Sequence, residues 1–178
     1  MAEGHRRDVA AYSDLVTARS GSLFRTAYLM VGDHQLAQDL LQEALVKTYV
    51  AWPRLRDVAK AEAYTRRTIV NTAISWRRRR SFHERPLDVL PDAGVADRVD
   101  ELATRDALWV QLHLLPPRQR AAIVLRYYLD LSEAQTAEAM GCSVGAVKSQ
   151  TSTGLRRLRD RMGPEVALFT TTDKGMTS

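Results

Sequence analysis

The sequence has a single cysteine, Cys142, among its 178 residues, so no disulfide can form within the chain. Its four histidines are scattered and lack the spacing of metal ligands. No apolar run approaches the length of a membrane span, and the N-terminus lacks the apolar core of a signal peptide. Clustered nucleophiles and a phosphate-binding loop are also lacking. We therefore expect a cytoplasmic, non-enzymatic protein that needs no metal or cofactor and does not insert into a membrane.

Positive charge is plentiful, and it is unevenly distributed. The formal net charge is +5 and the pI is about 9.7, which permits a nucleic-acid partner without requiring one. Residues 62–80 hold six arginines and one glutamate, whereas residues 82–104 hold two arginines and six acidic residues. The acidic stretch also contains prolines and lacks helical periodicity, which is typical of a linker.

Strand signals are nearly absent, while apolar residues recur at helical spacing. The pattern predicts an all-α protein of two small helical domains joined by a flexible acidic linker. The predicted segments are a first domain at 10–81, a linker at 82–101, a second domain at 102–163 and a C-terminal tail at 164–178. The helices predicted ahead of the motif described next are Tyr12–Met30, one from the N-cap Asp33 to just before Pro53, Ala61–Arg79, Ala103–Leu114 and Pro117–Leu129.

Two further helices in the second domain have the signature of a helix-turn-helix. Ser132 and Gln135 form a capping-box pattern, and Ser143 is placed to cap the following helix. Gly141 stands where the first helix must end. Ala137 and Val147 lie at the spacing at which the two helices of such a motif cross closely. The segment therefore predicts a DNA-binding motif, although an ordinary helical hairpin with a polar face also fits this pattern.

The second helix of this motif presents small polar side chains from its N-terminal half, which lets a helix lie deep in a major groove. Arginines at its far end supply charge for phosphate contacts. The residues expected to face DNA are Ser143, Val144, Gly145, Lys148, Ser149, Ser152, Arg156 and Arg157.

Two helices of the first domain carry polar or cationic surfaces. Asp39, Gln42 and Glu43 fall on one helical face, which by itself indicates only a solvated surface. The next helix ends in the run Arg77–Arg80. Cations at a helix C-terminus interact favourably with the helix dipole, which accounts for one or two of these arginines. Four consecutive side chains point in most directions around the helix axis, so some of them would face any partner that binds at this helix end.

Three blocks of the sequence resemble, in order, those of extracytoplasmic-function sigma factors, the small two-domain members of the sigma-70 family. The blocks are DLLQEALVKTY at 39–49, AYTRRTIVNTAISWRRRR at 63–80 and the long segment from LPPRQR to GLRRLR at 115–159. The resemblance implies a subunit that binds core RNA polymerase and directs it to promoter DNA.

The resemblance also implies roles for individual residues. Asp39, Gln42 and Glu43 would dock on the clamp helices of the β′ subunit, and the second domain would read the −35 element while its other face packs on the β flap. An anti-sigma factor is a further expected type of partner. The residues that the resemblance places against the −10 element are Arg66, Arg67, Asn71, Arg77, Arg78 and Arg79.

The sequence departs from the family pattern at four positions: Ser75, Thr136, Ala146 and Thr153. Members commonly have aspartate, isoleucine, threonine and arginine there, so the promoter sequence does not carry over from the family. Two other interpretations remain open on the residues alone. One is a stand-alone helix-turn-helix regulator with an N-terminal sensor or dimerisation domain, and the other is a helical adaptor without a DNA role.

Overall fold

A computed structural model of the chain describes residues 2–55, 57–80 and 107–163. The predicted linker, the C-terminal tail and the side chains of Arg77, Arg78 and Arg79 lie outside the described residues.

The first domain consists of three long helices, α1 (Ala2–Val31), α2 (His34–Leu55) and α3 (Val58–Arg80). All three pack on one another. The structure begins α1 ten residues before the predicted start. Asp33 precedes α2 as expected, and its carboxylate accepts a hydrogen bond from the Leu36 N–H at 2.7 Å.

The prediction that the second helix stops before Pro53 is wrong, because α2 continues through this proline to Leu55. A proline so close to a helix end removes only one backbone donor from the ladder. Its neighbour Trp52 is buried with Leu15 and Ala61 in a small apolar cluster, and Leu55 packs against that cluster. Apolar packing on both sides of the proline therefore holds the last turn in place.

Tyr12 closes this cluster from α1. Its hydroxyl donates a hydrogen bond to the Leu45 carbonyl at 2.8 Å, and its ring meets Trp52 edge-on. Burial, and secondly the nearby Tyr49, raise the pKa of Tyr12 above its usual 10.0. The phenol therefore stays a hydrogen-bond donor over the whole neutral range.

The second domain contains a helix at residues 107–113 (α4), α5 (Pro117–Ile123), α6 (Glu133–Met140) and α7 (Val144–Met162). Pro117 occupies the first turn of α5 as predicted. Residues Val124–Tyr128 continue α5 as one π-helical turn rather than as regular α-helix.

The helix ends around the α6–α7 turn are capped as the sequence predicts. Ser132 and Gln135 exchange two hydrogen bonds in a capping box, at 2.8 and 3.1 Å. The Ser143 hydroxyl accepts a bond from the Ala146 N–H at 3.2 Å. Gly141 adopts the left-handed conformation with φ of 61°. A residue with a β-carbon would be strained at this position.

The described helices of the two domains share one apolar core. Helix α3 packs against α5 and α6, and α1 also contacts α5. The Tyr28 ring of α1 stacks on the Trp109 ring of α4, with centroids 5.1 Å apart and planes 13° apart. Residues of α3 such as Ile69 belong to the same buried cluster as Leu125 and Met140 of the second domain.

We expect Gly154→Ala to destabilise the protein by about 1 kcal/mol. A β-carbon at this buried glycine of α7 would lie 2.8 Å from Ile123 Cδ1 and 3.3 Å from Gln119 Cβ. Overpacking of this kind costs about 1–3 kcal/mol, which exceeds the helix propensity gained by alanine. The control is Gly21→Ala, where nothing lies within 4 Å, and it should gain up to about 1 kcal/mol. Urea unfolding measures both, and a gain at Gly154 would contradict the packing.

Candidate nucleic-acid interface and docking face

Helix α7 exposes every side chain that the sequence predicts to face DNA. All eight positions, from Ser143 to Arg157, are exposed. Its inner side buries Val147, Gly154 and Leu158. At 3.6 residues per turn, Arg156 points about 180° away from Val147, straight out from the domain. The middle of the outward face is made of Gly145, Ser149 and Ser152, so the helix has little bulk where it would meet a groove.

Two cations at the edges of α7 have partners within the domain. The Lys148 ammonium lies 3.5 Å from the Glu133 carboxylate, and both side chains are exposed. The Arg157 guanidinium donates to the Gln119 side-chain oxygen at 3.0 Å. Lys148 and Arg157 lie about 180° apart around the helix axis. The structure therefore places Arg156, and not Arg157, in line with the small outward residues.

Behind this face, the motif is closed by small and apolar side chains. Ala137 and Val147 are buried, and the Cys142 N–H donates to the Ala137 carbonyl at 3.0 Å. Thr136 is fully buried on α6, and its hydroxyl has no hydrogen-bond partner among the described residues. An aliphatic side chain at this position would fill the same space without burying an unsatisfied polar group.

Arg66 of α3 belongs to an ion-pair network inside the first domain. The Glu62 carboxylate contacts Arg66 at 2.7 Å and Arg19 of α1 at 3.1 Å. Arg66 is partly buried, and its Nε has no partner in the part of the chain that is described. Glu62 therefore links α3 to Arg19 of α1 and also holds Arg66 of its own helix, which sequence reasoning did not anticipate.

Arg67 and Asn71 lie on another side of α3, directly against the α6–α7 turn. The Asn71 side-chain amide donates to the Ala139 carbonyl of α6 at 3.4 Å. A β-carbon placed on Gly141 would lie 4.0 Å from both Arg67 Nη2 and Asn71 Oδ1. Two residues predicted to meet DNA are thus brought against the second domain.

On α2, Asp39 and Gln42 are exposed and Glu43 is partly exposed. The Gln35 amide donates to Asp39 at 3.3 Å, and Lys47 forms an ion pair with Glu43 at 2.6 Å. All of these partners lie one turn away on the same helix, where such pairs are weak and easily exchanged. We call Asp39, Gln42 and Glu43 the docking face.

Sequence reasoning missed an apolar extension of the docking face. Val46 and Val50 are 64% and 75% exposed, and they line a shallow groove of about 490 Å³ together with Tyr64 of α3. The signal was present, because residues 39, 43, 46 and 50 follow one helical stripe. The first two residues of this stripe are acidic, so the pattern was interpreted as a polar face only, and the two valines that continue it were overlooked.

Within the described ranges there is no group of three or more acidic, histidine or cysteine residues that could hold a metal ion. No helix in those ranges is long and apolar enough to cross a bilayer.

Comparison with known proteins decides between the interpretations that the residues left open. Residues 15–83 match the family model of sigma-70 region 2, and residues 105–158 match that of sigma-70 region 4. The RNA polymerase sigma-E factor of Streptomyces avermitilis is 41% identical over 162 residues, which cover 91% of this chain and 89% of the relative. The chain belongs to the sigma-70 family. The ECF RNA polymerase sigma factor SigM of Mycobacterium tuberculosis is 32% identical over 88% of this chain and 79% of its own length.

A solved structure shows the same fold. The sigma factor RpoE, determined in complex with the anti-sigma factor NepR from Bartonella quintana, matches with a TM-score of 0.69 at 21% identity. The match covers 86% of this chain and 98% of RpoE. The predicted all-α fold and the predicted extracytoplasmic-function group are confirmed.

This sigma factor directs promoter-specific initiation of transcription by RNA polymerase. The sigma-70 family is not known for enzymatic activity.

We expect Thr136→Val to stabilise this sigma factor by about 1 kcal/mol, because it removes a buried hydroxyl without a partner and keeps the side-chain shape. The matched control is Thr48→Val on α2. The Thr48 hydroxyl is also fully buried, but it bonds the Ala44 carbonyl and the Thr65 hydroxyl, each at 2.8 Å. This control should lose about 1–2 kcal/mol. Urea unfolding measures both, and a loss of stability in both variants would show that Thr136 has a partner.

Proposed function

We propose that α7 is the recognition helix for the −35 promoter element. The observation that carries this assignment is its outward face, on which Gly145, Ser149 and Ser152 leave room for base edges and Arg156 points toward the DNA. Ser143, Val144 and Lys148 lie at the start of the same helix and complete the base-facing end. Arg157 has a mixed role, because its guanidinium also holds α7 to α5 through Gln119.

The first domain meets the −10 element through α3 in this proposal. Arg67 and Asn71 are the described residues that contact DNA, since an amide can bond a base edge and a guanidinium can bond a phosphate. Arg66 acts mainly inside the first domain, by pairing with Glu62 of its own helix, which also contacts Arg19 of α1. The run of Arg77, Arg78 and Arg79 follows along the same helix and adds positive charge toward the DNA backbone.

Core RNA polymerase binds the docking face in the same proposal. Asp39 and Glu43 offer carboxylates to basic residues of the β′ clamp helices, and Gln42 offers an amide. The exposed stripe of Val46 and Val50 extends the contact with apolar area. Weak local partners favour this role, because little binding energy is lost when they are exchanged.

The remaining assignments follow from the same function. The domain boundaries are 10–81 and 102–163, with the acidic segment at 82–101 between them. The second domain packs its other face on the β flap, and an anti-sigma factor is a further partner. The protein works in the cytoplasm without a cofactor and without a catalytic step of its own.

We expect Arg156→Ala to weaken promoter binding by the holoenzyme, the complex of this sigma factor with core RNA polymerase. The promoter is first identified by mapping transcription start sites after overexpression. Loss of one phosphate contact should lower the slope of log affinity against log salt by about 1. The control is Arg161→Ala, which removes the same charge about 140° around the helix from Arg156. Filter binding across a potassium chloride series measures both slopes. Equal losses in the two variants would refute the assigned face.

We expect Asp39→Lys to raise the Kd for purified core RNA polymerase about tenfold or more, because a charge pair across the interface becomes a repulsion. Its thermal stability should be unchanged, since Asp39 is exposed. The control is Asp14→Lys, the same reversal at an exposed aspartate of α1. Fluorescence anisotropy with labelled sigma factor measures both affinities. An unchanged Kd at Asp39 would remove this residue from the docking face.

A further inference from the structure

We propose, on the basis of the −35 role assigned to α7, that Glu133 is a specificity-determining residue of this sigma factor. Its carboxylate holds the Lys148 ammonium over the base edges of promoter DNA and away from the phosphates. Glu133 thereby weakens binding to DNA of any sequence and directs Lys148 to a guanine of the promoter.

An ion pair joins the two helices of the motif on one flank of α7. Glu133 is the first residue of α6, and its carboxylate lies 3.5 Å from the Lys148 ammonium. The side chains of Lys148 and Glu133 are 63% and 42% exposed, so the pair is open to approaching DNA. Lys148 belongs to the N-terminal half of α7 and lies about 80° around the helix axis from Arg156. The pair is therefore at the edge of the groove-facing surface.

The other cations of α7 are placed differently. Arg157 lies on the opposite flank and donates to the neutral side chain of Gln119 at 3.0 Å. Arg156, Arg159 and Arg161 form no ion pair with a carboxylate among the described residues. Their charge is available to DNA phosphates, whereas the charge of Lys148 is already matched inside the motif.

A carboxylate at the start of α6 weakens contact with the DNA backbone. The first helix of a helix-turn-helix crosses the backbone while the second enters the major groove, so Glu133 lies near phosphates in the bound state. It repels them, and this repulsion is the same for every DNA sequence. If Lys148 turned to a phosphate, the Glu133 carboxylate would remain beside the DNA without its cation. The pair is weak in water, but it is harder to exchange at the DNA surface for this reason.

The paired ammonium still has donors for a base. A lysine ammonium carries three N–H donors, and Glu133 accepts one of them. In the major groove, the N7 and O6 atoms of guanine are adjacent acceptors that suit the two remaining donors. Lys148, held at the edge of the groove, therefore reads a guanine at one position of the −35 element.

The helix dipole gives Glu133 a second role at this position. An acidic side chain in the first turn of a helix is stabilised by the partial positive charge of the N-terminus. That interaction requires the charge of Glu133 but no contact with Lys148. A variant without Lys148 separates the two roles, because only the positioning role disappears with the lysine.

The first experiment compares holoenzyme binding to the mapped promoter with binding to a scrambled duplex of the same length. Glu133→Gln should raise the affinity for the scrambled duplex about threefold to tenfold, because Lys148 becomes available to a phosphate. The slope of log affinity against log salt should steepen by about 1, and the ratio of promoter to scrambled affinity should fall. An unchanged slope and an unchanged ratio would overturn the positioning role.

The matched control is Glu138→Gln, which removes the same charge at an exposed position of α6, about 140° around the helix from Glu133. Its salt slope and its affinity ratio should equal those of the parent protein. Urea unfolding verifies that each variant is folded. Equal changes in the two glutamine variants would show an effect of net charge alone and would refute the inference.

The second experiment repeats Glu133→Gln in a protein that also carries Lys148→Ala. Without the lysine, the loss of the carboxylate should no longer steepen the salt slope, because the ammonium that it releases is absent. If Glu133→Gln steepens the slope equally in both backgrounds, the carboxylate acts only by repelling DNA, and the positioning role is refuted.

The third experiment replaces each guanine of the −35 element in turn. Lys148→Ala should lose about fivefold or more of the preference for one of these guanines, and Glu133→Gln should weaken the same preference. If neither variant changes the preference for any guanine, base reading by Lys148 is overturned. Failure of the proposed function looks different, because Lys148→Ala and Arg156→Ala would then both leave promoter affinity unchanged. Failure of the inference alone leaves Lys148→Ala harmful and Glu133→Gln without effect.

Discussion

The relative position of the two domains depends on the apolar contact between α3 and the helices of the second domain. Ile69, Val70 and Ala73 of α3 are buried in the same cluster as side chains of α5 and α6. Neither domain could expose this surface to water without a loss of hydrophobic free energy. One core therefore sets the position of the helix-turn-helix relative to α3, and with it the surroundings of Arg67 and Asn71.

The chemistry of the α6–α7 turn explains how the domains come so close. Gly141 has no side chain, and its left-handed backbone ends α6 abruptly. Ala139 leaves its carbonyl within reach of Asn71. The features that make a tight helix-turn-helix thus also make a compact surface that fits against α3. The small residues of the turn therefore both join the two helices of the motif and allow its contact with α3.

Charge on this sigma factor is divided between binding and internal architecture. Arg157 holds α7 to α5 through Gln119, and Arg66 pairs with Glu62 of its own helix, whereas Arg156 points straight outward. All three are arginines in basic blocks, so composition alone could not separate them. The docking face of α2 differs again, because its carboxylates have only partners on the same helix and lie beside exposed valines.

The sequence by itself determined the number and order of the helices, the caps around the α6–α7 turn and the family, because these depend on local spacing. Ser132, Gly141 and Ser143 could be assigned from their neighbours within four residues, and the outward residues of α7 followed from helical periodicity. Local reasoning failed at Pro53, where distant packing kept the helix intact. Only the tertiary structure decided that Tyr28 meets Trp109 and that Asn71 meets Ala139, because these residues are far apart in the chain and no periodicity encodes their contact.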